Sequence, residues 1–337
     1  MHKKILVVTD NISSQINGVV TTFKNIENHA MADGFDIVYL DPGQFPHCDA
    51  PGYPEVKLSW AWGIGKKIQA LDPQHIHIAT EGPLGLAARL YCDRHGLKYN
   101  TSYHTKFPEF LNKMYHIPES ITYRYMRWFH KHSGRVLTTT QTMVNDLRSS
   151  GFRGYIKAWT RGVDRDVFKS SLRGETVAGR PILLSVGRVS KEKGLDDFCK
   201  LDYPGATKIV VGDGPYRQEL EKRYPNVIFA GAKFGRELAL YYANADVFVF
   251  TSRADTFGIV IIEALACGTP VAAYPVAGPK DILENGITGH MSEDLKLSVD
   301  ACLGIPRNRV ESASQRWTWA NCWAIFKRNL VNLNQTL

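Results

Sequence analysis

The feature that most constrains this chain is an alternation of short β-branched runs with longer stretches of helical spacing. Strands joined through helices pair in parallel, by crossover connections. In the first half such runs lie at Lys3–Thr9, Asp36–Leu40, His75–Ala79, Lys98–Tyr103, Arg135–Thr140 and Tyr155–Trp159. A second series follows at Pro181–Gly187, Ala206–Val211, Asn226–Ala230, Ala245–Thr251, Thr269–Tyr274 and Ile287–Met291. Between the first two runs, Val19, Phe23, Ile26 and Ala30 recur at spacings of four, three and four, which puts them on one face of a helix. The class is therefore α/β with parallel sheets.

Two such series in 337 residues suit two Rossmann-like domains, since one domain takes roughly 100 to 200 residues. The expected division is a first domain over 1–168, a linker over 169–181, a second domain over 182–315 and a terminal helical segment over 316–337. The linker is assigned because Lys169 to Pro181 is polar and without periodicity. The segment Trp317 to Leu333 has no strand after it and must pack on structure already made.

Composition narrows the function classes. With 44% hydrophobic and 22% charged residues, the chain is neither a fibre nor disordered. No uncharged apolar run approaches the roughly 18 residues that span a bilayer, so a cytoplasmic location is expected. The six cysteines are scattered without a C-x-x-C pair, which suggests free thiols and no zinc knuckle. Of the net charge of +8, most sits in residues 1–170, where 21 basic side chains face 15 acidic ones, and an anionic partner follows. Nucleic acid is not expected to be that partner, for there is no helix-turn-helix, finger or RNP signature. A dinucleotide oxidoreductase would need a G-x-G-x-x-G fingerprint that is missing. Gly63-Ile-Gly65-Lys-Lys has the wrong spacing for a P-loop, and no G-x-S-x-G serine elbow occurs.

In open parallel sheets ligands bind beyond the carboxyl ends of the strands, so the loops there are the places to look for chemistry. After the first run, Asp10 to Gly18 leads into a helix whose N-terminal amides could take a phosphate, although Gly18 also suits a left-handed or close-packed position. After the fourth run, Ser102-Tyr-His104-Thr-Lys106 places a histidine at a strand end, where it is either functional or an ordinary structural residue. At the start of the second series, Arg188 and Lys193 lie five residues apart, a planar fork and a movable point charge able to converge on a diphosphate. No metal ligands are assigned, so these two cations and helix dipoles would carry the charge of a departing nucleotide. Further on, Glu263 is embedded in Ile-Val-Ile-Ile-Glu-Ala-Leu-Ala and asks for a hydroxyl partner, either a ribose diol or a group of the core. The amides of Phe257, Gly258 and Ile259 at the start of the same helix form a second diphosphate seat.

Asp255-Thr-Phe-Gly-Ile-Val-Ile-Ile-Glu263 resembles the E-x(7)-E motif, and Gly187-Arg188 to Lys193-Gly194 the R-x(4)-K clamp, of the retaining glycosyltransferases of family four. Val211-Gly-Asp-Gly-Pro215, Thr160-Arg-Gly-Val-Asp164 and the stretch from Ala230 to Asp246 are similar to recurring segments of that family. His77 to Gly85 and Ser102 to Pro108 are similar to its glycolipid-forming mannosyl-, glucosyl- and sulfoquinovosyltransferase branch. The resemblance implies the GT-B architecture, two Rossmann-like domains with parallel sheets facing a central cleft, and a last helix that crosses back to the first domain. It implies a hexosyltransferase that retains anomeric configuration without a metal or other cofactor, with a UDP-sugar or GDP-sugar as donor. The acceptor would be a membrane lipid of the diacylglycerol or phosphatidylinositol type, or alternatively a soluble or polyprenyl-linked saccharide.

Residue roles follow from the same resemblance. His104 would contact the donor sugar near the reacting carbon, Asp255 its hydroxyls, Arg188 and Lys193 the diphosphate, Glu263 the ribose and Gly18 the distal phosphate. Asp255 departs from the family, which usually has glutamate there. The segment Ile121 to Arg135 reads as a helix with Arg124, Arg127, Lys131 and Arg135 on one stripe beside aromatics, which suits the surface of an anionic membrane. A peripheral place at the inner face of the membrane is therefore expected.

Overall fold

The computed structural model describes residues 2–11, 18–50, 53–174 and 181–333, and the chain divides into two compact units. The first comprises residues 1–161 with 319–337, the second 162–318. In the first unit the strands are β1 (Lys3–Val8), β2 (Phe35–Leu40), β3 (His47–Ala50), β4 (Tyr53–Ser59), β5 (His75–Ile78), β6 (Asn100–Tyr103), β7 (Arg135–Thr138) and β8 (Ile156–Ala158). Its helices are α1 (Gly18–Ala32), α2 (Ile64–Leu71), α3 (Pro83–His95), α4 (Phe107–Tyr115), α5 (Glu119–His130) and α6 (Gln141–Ser149). Six strands form a parallel sheet in the order β2-β1-β5-β6-β7-β8, while β3 and β4 pair antiparallel as a separate ribbon.

The second unit holds β9 (Ile182–Val186), β10 (Thr207–Val211), β11 (Ile228–Phe229), β12 (Val247–Phe250), β13 (Val271–Ala273) and β14 (Gly289–Met291). Its helices are α7 (Leu195–Lys200), α8 (Arg217–Arg223), α9 (Gly235–Asn244), α10 (Ile259–Ala266), α11 (Pro279–Ile282), α12 (Leu295–Leu303) and α13 (Arg307–Ala313). The sheet order β11-β10-β9-β12-β13-β14 is the Rossmann order, with its reversal between β9 and β12. In the first sheet the reversal falls between β1 and β5. These two places are where each sheet opens a crevice at its carboxyl edge.

Burial follows the periodicity. Phe23, Ile26 and Ala30 of α1 are buried against one face of the first sheet, whereas Ile64, Ile68, Leu84 and Ala88 of α2 and α3 belong to a cluster with Leu6, Val8 and Ile76. The last helix, α14 (Trp319–Arg328), joins the first unit, and its Trp319, Cys322, Trp323 and Phe326 share the core of α1. Trp159, with no exposed surface, donates its indole N–H to the Cys322 carbonyl at 3.0 Å, fastening the end of β8 to α14.

Three expectations change. The first unit ends at Arg161 and not at 168, and the second begins at Gly162 and not at 182, because Val163 and Phe168 are already buried in the second unit's core. The first part of the expected linker is fastened down: Ser170–Leu172 forms a 3-10 turn, Ser170 donates to Glu311 at 2.6 Å and Arg173 pairs with Asp246 at 2.8 Å. Residues 175–180 of that linker lie outside the described residues. The basic stripe is also broken, since α5 ends at His130 and Arg135 belongs to β7. Arg127 donates to the Ser150 carbonyl at 3.1 Å and Arg135 to the Arg328 carbonyl at 2.7 Å, which leaves Arg124 and Lys131 as the exposed cations of the set.

Candidate active site

The second sheet brings the expected donor-site residues to its reversal. Arg188 stands two residues beyond β9, after Gly187, and is exposed. The loop then turns back through hydrogen bonds from the amides of Ser190 and Lys193 to the carbonyls of Arg188 and Ser190, both 3.1 Å. Gly194 closes it with φ +65°, and a Cβ there would stand 2.9 Å from the Thr251 carbonyl oxygen, so only glycine lets this loop lie against the end of β12. The Thr251 hydroxyl in turn donates to the Lys193 carbonyl at 2.8 Å.

This packing carries Lys193 to the neighbouring loop. Its ammonium donates to both oxygens of Asp255, at 2.7 and 2.9 Å, with each side chain still more than a quarter exposed. The cation assigned to the diphosphate and the acid assigned to the sugar are thus partners of each other. From Asp255 the chain runs through buried Phe257, whose ring packs edge-on against Trp317 at 5.6 Å, to Gly258 at φ +86° and into α10. The Phe257 side chain is therefore a core anchor, and what this stretch offers a ligand is its backbone at the start of α10.

Along α10, Ile261, Ile262, Ala264, Leu265 and Ala266 are buried, while Ile259, Val260 and Glu263 share the less buried face. Glu263 has a protein partner that its sequence context does not reveal: the fully buried Tyr242 donates its hydroxyl to Oε2 at 2.9 Å. Its other oxygen makes no hydrogen bond among the described residues. Burial pushes the Glu263 carboxyl up to about 7, against the smaller opposing pull of the Tyr242 hydroxyl.

In the first unit Gly18 is the first residue of α1 and exposed; residues 12–17 of the loop before it lie outside the described residues. Asp10, at the end of β1, accepts from the Thr80 hydroxyl at 2.6 Å and from the Leu84 amide at 2.8 Å, so it ties β1 to the start of α3 across that sheet's reversal. Burial raises its pKa in spite of those bonds. Beside it Glu81, raised likewise by burial, approaches His130 Nε2 at 3.2 Å, and His130 Nδ1 meets the Thr101 hydroxyl at 2.7 Å.

His104 follows β6 and is part-buried. Its Nδ1 lies 2.9 Å from a terminal nitrogen of Arg161, and its ring stacks at a tilt 5.8 Å from Trp159. Burial first, then Arg161 and His77, hold its pKa well below the ordinary value. In the sequence Arg161 stands out only as part of Thr160-Arg-Gly-Val-Asp164, and nothing in that stretch names its partner.

Asp164-Arg165-Asp166 has a D-x-D spacing, yet Asp164 accepts from the amides of Asp166 and Val167 at 2.9 and 3.3 Å and so caps its own turn. Among the described residues no group of three His, Cys, Asp or Glu side chains is placed to hold a metal ion. Among the same residues no helix is long and apolar enough to cross a membrane.

The family model described as Glycosyltransferase Family 4 matches residues 16–167, and that described as Glycosyl transferases group 1 matches residues 180–305. A GDP-mannose-dependent alpha-mannosyltransferase of Mycobacterium tuberculosis is 30% identical over 315 residues, covering 85% of this chain and 82% of that protein. The chain belongs to glycosyltransferase family 4. This family 4 chain is also 29% identical to the Sulfoquinovosyl transferase SQD2 of Arabidopsis thaliana over 72% of its own length and 51% of that protein's. Among solved structures, the sucrose-phosphate synthase of Thermosynechococcus elongatus superposes with a TM-score of 0.78 at 17% identity, covering 97% of this chain and 98% of that one. The Anabaena protein HepE in complex with UDP-glucose superposes at 0.70 and 18% identity, covering 97% and 99%. The architecture is GT-B, and the chain is a nucleotide-sugar glycosyltransferase.

Proposed function

We propose that this glycosyltransferase moves a hexose, with retention and without a metal, from a GDP-sugar or UDP-sugar to a lipid hydroxyl at the membrane surface. The observation that carries the reading is the meeting of Lys193 and Asp255 at the reversal of the second sheet, with Arg188 on the same loop and Glu263 one helix away. Lys193 leaves Asp255 for the incoming diphosphate, and Asp255 is released to accept from sugar hydroxyls. The bond from the anomeric carbon to the phosphate oxygen breaks as the acceptor oxygen bonds that carbon from the same face. The acceptor proton passes to the departing phosphate, so no protein nucleophile is used. The charge that grows on the phosphate is met by Arg188, Lys193 and the amides at the start of α10.

The relatives support the donor and acceptor classes. They include the mannosyltransferase above and an Alpha-monoglucosyldiacylglycerol synthase of Streptococcus pneumoniae, 26% identical over 80% of this chain. The deciding experiment presents GDP-mannose and a panel of UDP-sugars with diacylglycerol, phosphatidylinositol and polyprenyl-linked or soluble saccharides, in EDTA, and reads products by mass. A glycolipid formed in EDTA is expected. Products confined to saccharide acceptors overturn the lipid reading, and strict dependence on added Mg²⁺ overturns the metal-free one.

Glu263 gives this reading a pH signature. Ribose hydroxyls donate, so they favour the carboxylate over the carboxylic acid. With the carboxyl at about 7, nucleotide-sugar affinity should rise about tenfold between pH 6 and pH 8 if only the ionised form binds. A nucleotide sugar is the right probe because its diphosphate is esterified at both ends and does not titrate in that range. Calorimetry should find the rise in the native protein and a flat profile in Glu263→Gln; the same slope in both would remove Glu263 from the ribose site.

The membrane contact is assigned to the exposed part of α5, where Ile121, Arg124 and Trp128 face outward and Lys131 follows. Trp128 also stacks on Arg89, whose guanidinium carbon is 3.8 Å from the ring centre, so the exposed indole is held in place. At about 1 kcal/mol per basic residue near an anionic bilayer, Arg124→Gln with Lys131→Gln should weaken vesicle binding by about 30-fold. Co-sedimentation with phosphatidylglycerol vesicles checks this, and unchanged binding moves the contact elsewhere.

A further inference from the structure

Arg161 is a buried cation with an unusual set of acceptors. Only 3% of it is exposed, and one terminal nitrogen donates to the carbonyls of Trp159 and Thr160 at 2.7 and 3.1 Å. Its plane lies over the Trp159 ring, 4.6 Å from the centre. Among the described residues it makes no ion pair. The remaining terminal nitrogen is spent on His104 Nδ1 at 2.9 Å. A protein that buries a guanidinium without a carboxylate gives up much solvation, and what it gains here is a defined contact to one imidazole nitrogen.

The chemistry of that contact has a single solution. A guanidinium has only donors, so Nδ1 of His104 must supply the lone pair. The neutral ring then carries its one proton on Nε2, and Nε2 is a donor. Protonating Nδ1 would turn an acceptor into a second N–H pointing at a buried cation. Burial, the Arg161 cation and the imidazole of His77 all disfavour an imidazolium here, and the Trp159 ring lies 5.8 Å away at a tilt. His77 is itself held neutral by burial, with its pKa pushed down to about 3.

We propose that Arg161 is a positioning residue that locks His104 as the neutral Nε2–H tautomer, so that His104 offers the donor sugar a fixed hydrogen-bond donor and is barred from acting as a base. This rests on the expectation that His104 contacts the donor sugar, and it adds that the acceptor proton does not leave through His104.

The test begins with the full chain in the absence of substrate. In a ¹⁵N-labelled sample, long-range ¹H–¹⁵N correlation identifies the His104 ring by its absence from a His104→Asn spectrum. The expected pattern has a lone-pair Nδ1 and a protonated Nε2, unchanged from pH 5 to pH 8. Arg161→Lys keeps a donor that cannot accept and should retain this tautomer. Arg161→Met should give a tautomer mixture that titrates in the same pH range, with kcat lowered by up to about 10²-fold at pH 8 and partly regained toward pH 5, where the imidazolium again carries a proton on Nε2. A wild-type His104 that carries its proton on Nδ1, or that titrates between pH 5 and pH 8, overturns the proposal. Should Arg161→Met fail to fold, the wild-type and Arg161→Lys spectra still decide. A locked tautomer together with unaltered kcat and donor KM in His104→Asn would uphold the lock and overturn the sugar contact.

Discussion

Replacing Arg188 or Lys193 by alanine should lower kcat by about 10² to 10³, which is the cost of removing one preorganised donor from a developing anion, about 3 to 4 kcal/mol. Arg188 is exposed at the end of β9, and Lys193 is held by Asp255 rather than by the core, so neither substitution removes packing. Circular dichroism and unfolding should therefore match the native protein while turnover collapses. Because both cations gain most as the leaving diphosphate forms, the loss should fall on kcat more than on donor KM. Losses of tenfold or less in both variants would mean that the charge is stabilised elsewhere, and the assignment of this loop would fall with them.

Phe326→Ala should destabilise the first unit by about 3 to 5 kcal/mol, the usual range for truncating a large core aromatic. Phe326 has no exposed surface, and its ring centre lies 4.8 Å from Trp159, 4.9 Å from His77 and 5.7 Å from Phe23. The three contacts come from the end of β8, β5 and α1, so one side chain of the last helix ties together elements far apart in sequence. Trp159, Trp319 and Trp323 all lie in this unit and report its unfolding by fluorescence. A loss under about 1 kcal/mol would show that α14 contributes little to the first unit's stability. Because the cavity would open beside His77 and Trp159, on the path to Arg161, the variant should also show a weakened donor KM at temperatures where it remains folded.

These two expectations draw on unequal kinds of information. The candidate clamp is legible in the amino-acid sequence, because a strand end followed by R-x(4)-K and a downstream acid-to-acid spacing is a local pattern, and local patterns are written residue by residue. The parallel strands are legible for the same reason: β-branched runs buried on both faces are written as near-continuous apolar stretches. The β3–β4 ribbon is not, since His47–Ala50 and Tyr53–Ser59 carry little β-branched character and pair with each other outside the main sheet.

Polar partnerships are the least legible. The helix period shows that Glu263 sits among apolar neighbours, but it does not say that Tyr242 of another helix reaches it. The motif around Arg161 shows a basic residue after a strand, but not that it ends on the imidazole of His104, two strands away in the sheet. Likewise, spacing places Arg127 and Arg135 on a solvent stripe, whereas the carbonyls of Ser150 and Arg328 take them in. Apolar burial is non-directional and repeats with the period of the element, so it leaves a trace at every third, fourth or second residue. A hydrogen bond is directional and joins atoms whose separation in sequence is arbitrary, so it exists only once the strands are ordered. The class, the two sheets and the cationic loop follow from local pattern, whereas the acid that holds Lys193, the hydroxyl that holds Glu263 and the imidazole nitrogen that meets Arg161 follow only from the order of the strands.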